Sequence, residues 1–182
     1  MKIVGLDLSL TSIGIAVITD GTATTDRILS KGTKAANLAA RERRLRTLMN
    51  KISDHTTNAD LIVIEGPSYG QARQGGQHDR AGLWWLVVSN TLRWADAPPL
   101  VEVPPAARAK YATGKGNAAK DQVLAAVIRR YPHVMVDGND EADALVLAAM
   151  GARHLGAPID DLPKVHLEAM VKVAWPETAA AS

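Results

Sequence analysis

Four carboxylates in this 182-residue chain stand where acids are either costly or well placed for chemistry. Asp7 interrupts the apolar run Ile3-Val4-Gly5-Leu6-Asp7-Leu8. Glu65 ends the run Leu61-Ile62-Val63-Ile64 and is followed by Gly66-Pro67. Asp140 and Asp143 are three positions apart at the start of a helical stretch, hence on one face, and Asp143 falls where that helix has already become apolar. An ionised carboxylate is expensive to bury without a cation, a proton or hydrogen-bond donors. Clustered carboxylates also repel one another, which is tolerable when they share divalent cations. A set of hard oxygen donors with no Cys and no nearby His pair favours Mg²⁺ or Mn²⁺ over Zn²⁺. Two such ions clamp the attacking and leaving oxygens of a phosphodiester. The expected cofactor is therefore a pair of Mg²⁺ ions, with Mn²⁺ able to substitute. Each acid has a plainer reading too: Asp7 as a turn residue at a strand end, Glu65 as a turn residue, Asp140 as ordinary helix-start chemistry.

Cations with a phosphate-binding pattern accompany the acids. Gly114-Lys115-Gly116 runs into a helix that carries Lys120 in its first turn, so backbone N–H groups and two ammonium groups converge on one place. The glycine spacing is not that of a Walker loop. A flexible loop with surface lysines explains this stretch equally well. Residues 68–80 form a polar, glycine-containing loop in which Tyr69 is available to stack on a base, with Arg73 and Arg80 available to phosphates. A plain surface connection is the even alternative. The cluster Arg41, Arg43, Arg44 and Arg46, beside Glu42, reads better as a solvated helix face than as a phosphate contact.

The elements that must position these groups follow from periodicity. Residues 2–8, 13–19 and 25–31 are β-rich and separated by turn signals, Asp20-Gly21 among them, which predicts an antiparallel meander. Within the first strand, Ile3, Gly5 and Asp7 share one face. The four apolar residues 61–64 predict a central strand covered on both faces and parallel to its neighbours. Residues 100–103 make a further short strand. Helical spacing covers 35–54, 81–94, 105–111, 118–131 and the segment from Asp140, with an amphipathic helix over 163–174 whose inner side carries Leu167, Met170 and Val171. The helix at 81–94 is apolar around much of its circumference, which suits either burial or a second subunit.

Composition narrows the class. Absence of Cys excludes a disulfide scaffold and a thiolate metal site, and it favours an intracellular setting. Asp7 interrupts the region after Met1 so that it has no long uncharged h-region; no signal peptide is expected, and no run is long enough to span a membrane. A net charge of +2 permits a polyanionic partner without demanding one. One domain over residues 1–176, with a disordered tail at 177–182, fits the length and the lack of repeats.

Taken in order, Gly5-Leu6-Asp7-Leu8-Ser9-Leu10-Thr11-Ser12-Ile13-Gly14, Ile64-Glu65-Gly66-Pro67, Gly114-Lys115-Gly116-Asn117-Ala118-Ala119-Lys120-Asp121-Gln122-Val123 and Asp140-Glu141-Ala142-Asp143-Ala144-Leu145 resemble the four motifs of the RuvC-type Holliday junction resolvases. The resemblance implies an α/β, RNase H-like fold: a five-stranded mixed sheet, antiparallel meander then parallel strands, flanked by helices. It implies a homodimer, with helix 81–94 as the candidate interface, that nicks a four-way DNA junction symmetrically. By the same resemblance Asp7, Glu65, Asp140 and Asp143 are metal ligands, and Lys120 and Lys115 contact the phosphate. An aromatic in the family's loop after the second acid points to Tyr69. The implied location is the cytoplasm of a bacterial or phage-infected cell, and the compact size suits a phage-type member. Competing readings are a nuclease of the same fold acting on forks, flaps or RNA, a sugar-kinase or actin-like ATPase fragment, and a junction-binding protein without cleavage.

Overall fold

A computed structural model describes residues 1–67, 76–93 and 95–177. Five strands form one sheet in the order β3-β2-β1-β4-β5: β1 (Lys2–Asp7), β2 (Ser12–Thr19), β3 (Thr22–Leu29), β4 (Leu61–Glu65) and β5 (Leu100–Val103). β1, β2 and β3 pair antiparallel, whereas β4 is parallel to both β1 and β5. This is the mixed sheet expected of an RNase H-like fold. The β2–β3 hairpin closes on Asp20 and Gly21, at φ 48° and 83°. Two consecutive positive φ values match the twist of a two-residue hairpin, so β3 starts directly at Thr22, earlier than the predicted 25.

Helices cover both faces. α1 (Leu38–Thr56) and α2 (Gln77–Leu92) pack on one face, where Val4, Leu6, Ile62 and Ile64 meet Leu48, Met49, Ile52, Leu83 and Val87. α3 (Pro105–Thr113), α4 (Lys120–Arg130) and α5 (Asn139–His154) pack on the other, against Ile3, Ala16, Leu61, Val63 and Val101. α5 is buried without interruption from Glu141 to Ala152. Its close seat depends on two glycines of the sheet. A Cβ on Gly5 would lie 2.1 Å from the Ala144 carbonyl oxygen, and one on Gly14 would lie 1.9 Å from that of Asp140. Either side chain would push the start of α5 away from the sheet.

Two predicted elements need correction. α2 begins at Gln77 rather than 81, because Asp79 in its first turn is fixed by the Arg41 guanidinium of α1; His78, Asp79 and Arg80 are therefore helical rather than loop residues. Only part of α2 is buried: Leu83 and Val87 are inside, while Trp85 is 63% exposed and Leu86 and Leu92 also face solvent. Trp94 lies outside the described residues. The single helix expected over 163–174 is instead α6 (Lys164–Leu167) followed by a 3₁₀ turn at Met170–Lys172. The intervening Ala169 is fully buried, Leu167 and Met170 pack on the core, and Val171 points outward. No helix among the described residues is long and apolar enough to cross a membrane.

Candidate active site

Strand register brings the first two acids together. β1 pairs with β4 in parallel as far as Leu6 with Ile64, and one residue further on Asp7 stands level with Glu65. Both acids therefore sit at the carboxyl edge of the sheet, where open α/β sheets place their reactive groups. Asp7 lies on the same face as Gly5, so it looks toward the helix that Gly5 admits. That helix is α5, and its first turns deliver Asp140 and Asp143. Asp143 is 1% exposed, Asp7 is buried, and Glu65 and Asp140 are half-buried.

The electrostatics record this convergence. Burial raises the Asp7 carboxyl well above the usual range, and the neighbouring charges of Glu65, Asp143 and Asp140 push it further up. Asp143 is raised to about 6, first by burial, with Glu65 and Asp140 adding to the rise and Arg108 and Lys120 opposing it. The Asp7 side chain accepts no hydrogen bond among the described residues, and Oδ2 of Asp143 is buried without a partner. Buried polar atoms are nearly always paired, so Oδ2 of Asp143 stands out as a buried acceptor without a donor.

Arg108 was missed by the sequence reading. It lies on α3 between Ala107 and Ala109 and is 6% exposed. Its Nε and Nη2 each lie 2.8 Å from Oε1 of Glu65, and its Nη1 donates to Oδ1 of Asp143 at 2.5 Å. The guanidinium thus bridges β4 and α5. The only sequence signal was an arginine inside an alanine-rich helical turn, which is the same kind of oddity as Asp7 in its strand. Trp84 is a second unforeseen contributor: its indole N–H donates to the backbone carbonyl of Glu65 at 3.1 Å and ties α2 to the end of β4.

The donor chemistry suits a hard divalent cation, with carboxylate oxygens from three elements and one of them orphaned. Among the described residues, however, no three acidic or His side chains stand close enough together to hold a metal ion as they are placed. Glu65 and Asp143 are each turned onto Arg108. Glu141 belongs to a different interaction: it accepts from the Asp137 backbone N–H at 2.5 Å and lies 3.9 Å from Nε of Arg27.

Of the predicted phosphate contacts, Lys120 opens α4 at the surface, and its charge is among those that lower the burden on Asp143. Lys115 is exposed in the preceding turn, where its N–H donates to Oγ1 of Thr113 at 3.1 Å. Arg80 lines a separate cleft of about 690 Å³ with Lys31, Lys34, Arg41 and Arg44. That cleft is lined by α1, α2 and the loop after β1 and by none of the four acids, and Arg44 is engaged there by the carbonyls of Leu10 and Ser30. Arg41 and Arg44 therefore tie elements together rather than form a free basic face. Tyr69 and Arg73 lie outside the described residues.

No protein-family model and no curated protein sequence matches this chain. Solved structures do match. The RuvC structure from Thermus thermophilus aligns with a TM-score of 0.60 at 17% identity, covering 86% of this chain and 98% of that one. The same organism's RuvC in complex with a Holliday junction substrate gives 0.62 at 16% identity, covering 86% and 97%. The fowlpox virus Holliday junction resolvase gives 0.54 at 11% identity, covering 85% and 99%. The fold is that of the RuvC-type resolvases, as the four motifs implied.

Proposed function

We propose that this protein is a metal-dependent endonuclease that resolves four-way DNA junctions. The observation that carries the reading is the cluster of buried Asp7 and Asp143 with half-buried Glu65, incompletely satisfied, at the carboxyl edge of a resolvase-type sheet. Asp7, Glu65, Asp140 and Asp143 would hold two Mg²⁺ ions, or Mn²⁺ in their place. The chemistry such ions would supply is activation of a water and stabilisation of the departing 3′-oxygen of a phosphodiester. The chain's own residues supply the rest. Glu65 and Asp7 are fixed by strand register, and Asp143 by the close seating of α5. Lys120, with Lys115 in the turn before it, holds the scissile phosphate and offsets its charge. Arg80, Tyr69 and Arg73 contact the flanking DNA.

Paired nicks require two active sites in one assembly. The exposed apolar face of α2, with Trp85, Leu86 and Leu92, is the surface we assign to a homodimer. The test is one Mg²⁺-dependent cleavage assay on a four-way junction, a fork, a flap and linear duplex side by side. Paired symmetric nicks on the junction alone are expected. Equal cleavage of forks or flaps would shift the assignment to a broader branch-specific nuclease, and no cleavage of any of them would remove it. Binding to the junction should weaken steeply as salt rises, since phosphate contacts release counterions.

A further inference from the structure

Arg108 has no part in the four-acid scheme, yet its side chain bonds directly to two of the acids. Its guanidinium engages Oε1 of Glu65 and Oδ1 of Asp143, and its charge also acts on Asp7. One buried cation therefore serves three carboxylates, two of them buried. The oxygens it holds are those a hard cation between β4 and α5 would need, since such ions bind carboxylate oxygens directly. What it leaves over is equally informative: Oδ2 of Asp143 has no partner, and the Asp7 side chain accepts no hydrogen bond among the described residues. The backbone under Arg108 is held in place. The Tyr111 hydroxyl donates to Asp160 at 2.9 Å, Lys110 pairs with Glu168 at 2.6 Å, and Arg130 donates to the Ala112 carbonyl at 2.7 Å. Any rearrangement at the site therefore falls to the Arg108 side chain rather than to α3.

We propose that Arg108 is a built-in counter-cation that competes with divalent metal for Glu65 and Asp143. In the metal-free protein it holds the acids against their mutual repulsion; when an ion enters, the guanidinium gives up those two carboxylates. This inference rests on the metal-dependent reading above. Competition of this kind is reciprocal: whatever Arg108 contributes to the metal-free fold, it withholds from metal affinity. Arg108 is thus a positioning residue that sets the metal concentration at which the site loads.

The test titrates Mg²⁺ and Mn²⁺ into the full chain without DNA, by calorimetry and by thermal melting, for wild type, Arg108→Met and Arg108→Lys. Arg108→Met should bind the ions about tenfold tighter or more, within the usual range of coupling between two sites. It should melt lower without metal and gain more on adding it. Arg108→Lys should fall between, because lysine keeps the charge but lacks the planar fork that spans two carboxylates. An Arg108→Met protein that folds only when Mn²⁺ is present supports the proposal equally. Should Arg108→Met not fold under either condition, Arg108→Lys decides: tighter binding than wild type supports the competition, and equal or weaker binding overturns it. Unchanged affinity in a folded Arg108→Met protein also overturns it. Failure of the underlying reading looks different, because wild type itself would then bind neither ion and cut DNA without them.

Discussion

Asp143 and Asp160 are both buried carboxylates that face an arginine, and both are reached from α3, through Arg108 and Tyr111. Their surroundings differ in one respect. Asp160 accepts from the hydroxyls of Tyr111 and Tyr131, and Arg153 donates to it at 2.6 Å. Arg153 in turn donates to the Tyr111 hydroxyl at 2.9 Å, so the network closes on itself. Burial beside the Asp160 charge drives both tyrosine hydroxyls well above their ordinary titration range, which keeps them as donors. Asp143 has a single partner for one oxygen and none for the other, and the side chain of its neighbour Asp7 accepts no hydrogen bond among the described residues. A fully satisfied polar network rigidifies a core, whereas a partly satisfied one is costly and calls for another explanation. The Asp160 cluster fastens the segment after α5 onto α3 and α4. The Asp143 cluster carries a deficit of positive charge that a ligand would make good.

This contrast can be broken by mutation. Asp160→Ala removes the acceptor from a closed network and leaves a half-buried arginine without its partner. It should cost about 3–5 kcal/mol of stability, read as a large drop in melting temperature, while protein that remains folded cuts DNA within a few-fold of wild type. Asp7→Asn should do the opposite on both counts. Cleavage should fall by more than ~100-fold, beyond what changes around a metal's ligands bring, with junction binding retained. The metal-free protein should melt higher, since a repelled acid has been neutralised; each kcal/mol so relieved is worth about 2–4 °C in a domain of this size. A melting temperature that falls with Asp7→Asn would contradict the charge deficit.

Smaller effects sharpen the same distinction. Lys120→Ala should slow cleavage by roughly 10²-fold, the lower range for removing one charged donor at a reacting phosphate, and leave melting nearly unchanged because the residue is exposed. An unchanged rate would remove Lys120 from the site. The least effect is the pH dependence of the metal-free fold. Burial pushes the Asp143 carboxyl up to about 6 from its ordinary 3.8, and Asp7 is shifted the same way. A raised carboxyl favours the folded state in its protonated form. This contribution is therefore complete below pH ~4 and is lost as pH rises through 6. Comparing wild type with Asp7→Asn in metal-free melts from pH 5 to 7.5 isolates it: the wild type should lose more stability than the variant over that range. Equal slopes would argue against coupled, uncompensated acids.

Much of the site was legible because its chemistry is written in local contradictions. An acid inside an apolar strand, an acid before Gly-Pro at a strand end and an acid in an apolar helix are each improbable without a reason, so Asp7, Glu65 and Asp143 stand out in one dimension. Strand pairing was equally readable, since Asp20-Gly21 dictates the hairpin and the run at 61–64 dictates a covered parallel strand. Other features were invisible for physical reasons. The extra first turn of α2 depends on Arg41 reaching Asp79 from another helix. The split of the 163–174 segment depends on Ala169 being pressed into the core.

The sequence by itself determined which residues can do chemistry here and which strand ends carry them, because hydrophobic period and charge placement are local properties. Only the tertiary structure decided how those residues are satisfied. Gly5 and Gly14 admit α5 to the sheet, and α3 delivers Arg108 between Glu65 and Asp143. Charge balance in a buried cluster is a sum over elements distant in the chain. That sum exists only once β1, β4, α3 and α5 have met.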